Sequence, residues 1–459
     1  MTDSPHELPG RSADLQSALR ADALVFPFKT ELSLAPLIAF WTRAAADWNS
    51  ARGRIARSVL DEIQKAPELA EPVLDVTAIE RHRDLLDVLM SAAFPTSAWN
   101  EEYGAAMTPF QLHGFYATPS FRRLLMAEDG KLSGHINLDD RMIAIMRRAY
   151  AYAVVLRRLY GIALDVSYPL IFTVSDPDTG LDRHFRLLID ETFVDVVALG
   201  PVPDLSDALI RRLRANILDP ELLRDALPPE NVVFRGITIF RALEVTGQEV
   251  VSALKRDLIE RDSIVSDVRF VRLQQRLRTL FRRPDLILVL AAIEGDRVLV
   301  LNHGAQHGHA CIFADSAHHT AAEFAGSIYE RAVTSGQPVI VEDLAALSPR
   351  TAVEERLVQS GTRSLLAAPL RYQDRTIGSL MLSSPQPGQL DTMHLPQLQE
   401  VVPLFSMAVQ RSMEELNARI QTEIKERFTA IHPTVEWRFR KAVLDSMERG
   451  EGAGCGEGA

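Results

Sequence analysis

The sequence predicts a multidomain α and α+β protein: an N-terminal helical domain, a small α+β unit, and a C-terminal antiparallel sheet with helices and a long exit helix. Three observations carry this. Apolar residues recur at three- and four-residue steps over residues 33–162, which is the helical period. At Val166 the pattern changes to short strands, and further on paired apolar runs flank the turns Glu294-Gly295-Asp296 and Gln373-Asp374-Arg375. Finally, an apolar stripe runs from about Leu395 to Phe428. At 459 residues the chain exceeds what one ordinary core holds, and 47% hydrophobic with 24% charged residues is the balance of a folded chain.

Residues 1–32 show no sustained period and read as a flexible arm. Ser33 then stands as an N-cap, with Pro36 in the first turn and Leu37, Phe40 and Trp41 on one face of a first helix. Ile55, Val59, Leu60 and Ile63 mark a second helix, closed by Pro67. The third is expected over Thr77–Ala93, where Thr77 and Glu80 form a capping box and Ile79, Leu85, Leu86, Leu89 and Met90 form the stripe. Asp139–Tyr160 gives a long helix with Ile143, Met146, Tyr150, Val154 and Leu159 recurring along it. With few β-branched alternations between them, residues 33–162 are expected to be an all-helical domain.

Residues 163–245 read as a small α+β unit. Pro169–Val174 and His184–Ile189 flank the turn-rich Asp176-Pro177-Asp178-Thr179-Gly180, and Thr192–Ala198 continues as a strand. Ser206–Ile217 and Glu221–Leu227 are short helices, after which Val232–Phe240 returns to strand.

The third domain is expected at 246–420. Thr246 caps helices that run to about Arg282, and Asp285–Ile293 pairs with Arg297–Asn302. Ala321–Thr334 is a helix, Val339–Val341 a strand after a Gly-Gln-Pro turn, and Ala352–Val358 a charged helix stopped by Gly361. Ser364–Leu370 and Ile377–Leu382 then face each other as a hairpin. The entry SGQPVIVEDL, the hairpin GTRSLLAAPLRYQDRTIGSLMLSS with Pro369 and Gly378, and the helix from Leu395 together resemble the second half of a GAF domain, a small sensory α+β module. The resemblance implies an antiparallel sheet with helices on one face and a ligand cavity under the loops of the other. It also implies signal transduction through the exit helix, whose apolar Val402, Phe405, Val409, Met413, Leu416, Ile420, Ile424 and Phe428 suit pairing with a second copy. A homodimer through residues 395–428 is therefore expected, the alternative being that this helix folds back onto the helical domain; a helical extension over 421–449 and a disordered tail over 450–459 are expected after it.

Candidate site residues follow from the same frame. His303, His307, His309 and Cys311 concentrate metal-competent side chains in HGAQHGHACIFADSAHHT, residues 303–320, where a cavity loop of such a domain would lie; zinc or haem iron is the chemistry they allow. Their spacing matches no established zinc pattern, and solvated histidines in a Gly/Ala-rich loop are the ordinary alternative. Tyr329, Arg363, Ser364 and Arg371 are the polar groups offered to a small ligand. Cys311 lacks the following histidine of bilin-binding GAF domains, and the residue signature of cyclic-nucleotide-binding ones is not legible. Both ligand classes are in doubt on that ground, and the cofactor stays unassigned.

His432 lacks the acidic residue and arginine that follow a phosphoaccepting histidine, and Pro433 explains it as a helix break. No phosphate-binding loop, dinucleotide glycine motif or hydrolase motif stands in the context it needs. A formal charge of -11 argues against nucleic acid as the main partner. No apolar run reaches the length of a membrane span, the start MTDSPHELPG lacks the features of a signal peptide, and only Cys311 and Cys455 are present, so a cytoplasmic location is expected. The function read from the sequence is small-molecule sensing or regulation without turnover. The alternatives are an enzyme with a metal or haem site in loop 303–319, and an unliganded scaffold whose cavity is filled by Leu288, Leu290, Leu366 and Met381.

Overall fold

Caps and apolar spacing place the first helices. The computed structural model describes residues 26–427, apart from 75–78, 80, 113, 128–129, 167, 261–262, 265 and 302–316. The described residues divide into two compact units, drawn from 1–176 with 183–245 and from 177–182 with 246–459.

In the first unit, strand β1 (Lys29–Leu32) leads to helices α1 (Ala35–Ala45) and α2 (Ala51–Ile63), the second capped by Ser50, whose Oγ accepts from the Gly53 amide at 2.9 Å. Helix α3 (Arg83–Met90) buries Leu86, Leu89 and Met90 with Leu37, Trp41, Val59 and Ile63 in one cluster. The Trp41 indole N–H donates to the Leu89 carbonyl at 3.1 Å, which gives that buried ring its partner. The expected Thr77–Glu80 capping box lies outside the described residues.

Strands β2 (Tyr103–Met107) and β3 (Gly114–Ala117), helix α4 (Pro119–Leu125), the two-residue strand β4 (His135–Ile136) and helix α5 (Asp140–Tyr160) follow. Residues 33–162, expected to be all-helical, thus supply three strands. The strands are too short, and β2 (YGAAM) too rich in Gly and Ala, to show an alternating pattern. Nor does the expected boundary at 162 separate two folds. Strand β5 (Leu170–Ser175) pairs with β4, and of the strands that come next, β6 (Asp182–Asp190), β7 (Val194–Ala198), β8 (Val232–Gly236) and β9 (Thr238–Glu244), the last pairs with β2. Helices α6 (Asp207–Ala215) and α7 (Pro220–Ala226) lie between β7 and β8 in the chain.

Two sheets result, of order β3-β2-β9-β6-β5-β4 and β1-β8-β7. The run Val232–Phe240, expected as one strand, is divided between them. Gly236 turns the chain with φ 138°, and a Cβ there would lie 2.1 Å from the Phe193 carbonyl oxygen, so only glycine fits. Arg183 binds the first of these sheets together, with Nη2 to Glu244 at 2.7 Å and to the Tyr103 hydroxyl at 3.0 Å, and Nη1 to Asp176 at 3.2 Å. Burial works against its charge, but those partners outweigh it and raise its pKa.

The second unit starts with helices α8 (Thr246–Ile259) and α9 (Asp267–Phe281). Its strands are β10 (Ile287–Glu294), β11 (Arg297–Leu301), β12 (Ala317–Thr320), β13 (Val339–Val341), β14 (Ser364–Tyr372) and β15 (Arg375–Ser384). Helices α10 (Ile328–Ser335) and α11 (Ala352–Gln359) lie on either side of β13 in the chain, and α12 (Leu395–Arg427) ends the described part. The sheet order is β12-β11-β10-β15-β14-β13, antiparallel throughout. Both expected hairpins form: β10 and β11 join at Gly295-Asp296, and β14 and β15 at Gln373-Asp374. Gly378 on β15 is required by close approach, since a Cβ would stand 2.1 Å from the Ala291 carbonyl oxygen of β10. Pro369 is tolerated because β14 has by then run past the end of β13, which pairs only with residues 365–367.

Strand alternation sorts the core. Leu288, Leu290, Leu366, Leu380 and Leu382 face α8, α9 and α12, whereas Leu365, Ala367 and Met381 face Ile328 and Ala332 of α10 and Leu344. Of the four residues expected to fill a cavity, Met381 alone is on the second face; the other three belong to the helix side.

Candidate functional site

The face of the second unit that carries α10 lies opposite the one covered by helices α8, α9 and α12. Its polar groups come from β12, the turn after it, and α10. Thr320 opens that turn as a capping box: the Thr320 amide donates to Glu323 Oε1 at 2.9 Å, and Glu323 Oε2 sits 2.9 Å from Nδ1 of His319. These bonds, the Thr320 amide first, hold the Glu323 carboxyl down at about 2. His319 packs edge-on against Phe324, with centroids 5.5 Å apart, and Phe324 packs edge-on against Tyr329 at 5.7 Å.

Tyr329 stands inside this row. Its hydroxyl donates to the sulfur of Met381 on β15, and burial, reinforced by the charge of Glu354, pushes its pKa up. It is a neutral phenol whose apolar ring forms the floor of the face. Glu354 itself is buried and anionic: burial raises its pKa, but donation from the Thr351 hydroxyl, the Ile328 amide at 2.7 Å and the Thr351 amide at 2.6 Å outweighs burial and lowers it. That carboxylate fixes the first turn of α10 to the cap of α11.

The other three ligand candidates do not converge with Tyr329. Arg363 is engaged by Asp343 in a two-pronged pair, Nε to Oδ1 and Nη2 to Oδ2, both at 3.0 Å. Ser364 is fully buried, and its hydroxyl has no hydrogen-bond partner among the described residues. Arg371 is exposed at the far end of β14, about 20 Å from Ser364 at the rise of an extended strand. The structure therefore places Arg363 and Ser364 at one end of the strand and Arg371 at the other, next to Gly336.

His303, His307, His309 and Cys311 lie outside the described residues. The described chain ends at Leu301 of β11 and resumes with β12, which carries His319. Among the described residues no three His, Cys, Asp or Glu side chains group as metal ligands. Sequence reading missed Phe324 and Glu323. The legible signal for them was Thr320 followed three residues later by Glu323, the same capping pattern recognised at Thr77.

Helix α12 is the exit helix expected from the sequence. Leu398, Val401, Phe405, Ala408, Val409 and Leu416 are buried in the core of the unit, with Val402 and Met413 packed against them. Arg411 reaches the C-terminal end of α8, donating to the carbonyls of Leu258, Ile259 and Glu260, each at 2.9 Å, and to Ser263 Oγ at 3.2 Å. A guanidinium on the free carbonyls of a helix end satisfies them and meets the negative end of the helix dipole. After Leu416 the helix continues to Arg427, about 16 Å further at 1.5 Å per residue.

Residues 268–409 match the family model described as the GAF domain. Among solved structures, the chain is similar to the free methionine-R-sulfoxide reductase from Neisseria meningitidis in complex with its substrate (18% identity, 37% of this chain and 91% of that one, TM-score 0.27). It is also similar to the A. aeolicus nlh2 GAF domain in an inactive state (13% identity, 37% and 98%, TM-score 0.27). A third is the phycocyanobilin-bound GAF domain from a cyanobacterial phytochrome (17% identity, 38% and 98%, TM-score 0.29). No curated protein matches the chain.

Proposed function

Because residues 268–409 form a GAF domain, a family of small-molecule sensing and regulatory domains, we propose that this chain is a ligand-responsive regulator. A small molecule binds on the α10 face, against the Tyr329, Phe324 and His319 row, and biases the seating of α12. The turns of α12 beyond Leu416 then make or break a contact with a second copy or another protein. The protein acts by binding and not by turnover, and its low cysteine content supports a cytoplasmic setting. No helix among the described residues is long and apolar enough to cross a membrane.

The observation that carries the reading is the double role of α12. One stretch of it is core of the sensing domain, and the same rigid helix extends past that core. Ligand occupancy and helix seating are thereby properties of one packed body. Arg363, Ser364 and Arg371 remain ligand candidates at the two ends of β14, and of the four polar groups Tyr329 is the one in the aromatic row.

The test is native mass spectrometry of the gently purified chain beside a version ending at Leu416. A dimer for the full chain, a monomer for the shortened one, and a co-purified small molecule lost in Tyr329→Trp are expected. A full chain that is monomeric with and without every retained small molecule would sink the relay.

A further inference from the structure

The first unit contains a cavity of about 510 Å³, in the range of small-molecule sites. One wall is a single face of α5: Ile143, Met146, Arg147 and Tyr150, spaced i, i+3, i+4 and i+7. The opposing walls come from β6 and β9 and include Leu187, Leu188 and Phe240. Leu188 is 48% exposed, a large apolar side chain left facing solvent beside this cleft.

The charges lining the cleft do not balance. Among the described residues the buried Nε of Arg147 has no hydrogen-bond partner, and its guanidinium lies 5.0 Å from the centre of the Phe26 ring. Burial lowers its pKa, yet a guanidinium stays protonated, so the cation is held there at a desolvation cost. Arg186 also lines the cleft and forms no ion pair among the described residues. The carboxylate that lines it, Glu191, is already engaged: it accepts from the Tyr150 hydroxyl and is paired with Arg157. An apolar chamber with a half-buried cation, whose one lining carboxylate is engaged by other side chains, is complementary to a molecule with an apolar body and one negative end.

We propose that this cleft binds a small amphipathic carboxylate, with Arg147 as counter-ion to the carboxylate and the Ile143, Met146 and Leu188 walls around its apolar part. A guanidinium edge meets a carboxylate through two parallel N–H donors. The site is separate from the face assigned to the sensing domain.

Calorimetric titration of the full chain with octanoate and with 1-octanol tests this. Octanoate is expected to bind saturably and the alcohol at least about tenfold more weakly, the factor that one charge-assisted pair is worth. Arg147→Gln should reduce octanoate affinity by about the same factor, and Arg147→Lys should restore part of it. Should Arg147→Gln fail to fold, Ile143→Trp, which fills the cleft without altering a charge, is expected to abolish binding of both probes. Equal binding of acid and alcohol, octanoate binding unmoved by the Arg147 and Ile143 substitutions, or no saturable binding up to millimolar octanoate overturns the assignment. Binding that appears only after removal of residues 1–25 also overturns it, because the occupant is then the chain's own first segment.

Discussion

Glu354 receives two backbone amides and a hydroxyl while almost wholly buried, so its charge is held by the fold and not by solvent. Removing the carboxylate leaves the Ile328 amide unpaired at the start of α10. Glu354→Ala is therefore expected to destabilise the second unit by about 2–3 kcal/mol, measured by urea unfolding at neutral pH. Its pKa is lowered by folding, so its contribution is complete above the ordinary value of 4.5 and is lost as the pH falls through the depressed one. The difference between wild type and Glu354→Gln should accordingly shrink on acidification below pH 4.5, and a gap that widens there would contradict the assignment. Tyr329, Arg363 and Ser364 were legible as polar groups near the sheet, but not their partners. Asp343 and Arg363 are twenty residues apart in sequence, and only the antiparallel pairing of β13 with β14 brings their loops together.

Helix α12 was legible along its length because its stripe is long and regular, but the stripe does not say what covers it. The structure gives Phe405, Val409 and Leu416 to the chain's own core. Arg411 is the polar fastening of the helix, and Arg411→Ala should cost about 2 kcal/mol and raise amide exchange at the end of α8. Unchanged exchange at residues 258–263 would show that apolar packing alone seats the helix. In α5 the reverse occurred. The stripe Ile143, Met146 and Tyr150 read from the sequence lines the cleft, while Ile145, Ala149, Tyr152 and Leu156 fill the core, because this helix is apolar around most of its circumference and the period alone does not choose a side. Turn chemistry was read more securely. Gln373 and Asp374 both adopt positive φ, 44° and 61°, so Gln373→Asn with Asp374→Gly should stabilise the hairpin by about 1 kcal/mol, visible as a raised melting temperature.

At the scale of the whole chain, each of the two units has its own buried clusters, and two glycines provide a probe for each. Gly236→Ala forces a Cβ into the Phe193 carbonyl at a positive-φ position, and Gly378→Ala forces one into the Ala291 carbonyl. Each should destabilise by about 3 kcal/mol or more. In calorimetry the first is expected to lower the transition of the first unit and the second that of the GAF-containing unit. One transition shifted equally by both would mean that the units unfold together.

By itself the sequence determined the elements and family of the C-terminal domain, since hairpin turns, glycines and a long apolar period act locally and leave their mark in consecutive residues. Only the tertiary structure decided that residues 33–162 and 163–245 share a sheet, that one strand-like run is divided at Gly236, and that Arg147 stands in an apolar cleft whose carboxylate is engaged elsewhere. Those facts depend on strand pairings and desolvation between segments tens of residues apart, for which nearest-neighbour chemistry leaves no trace.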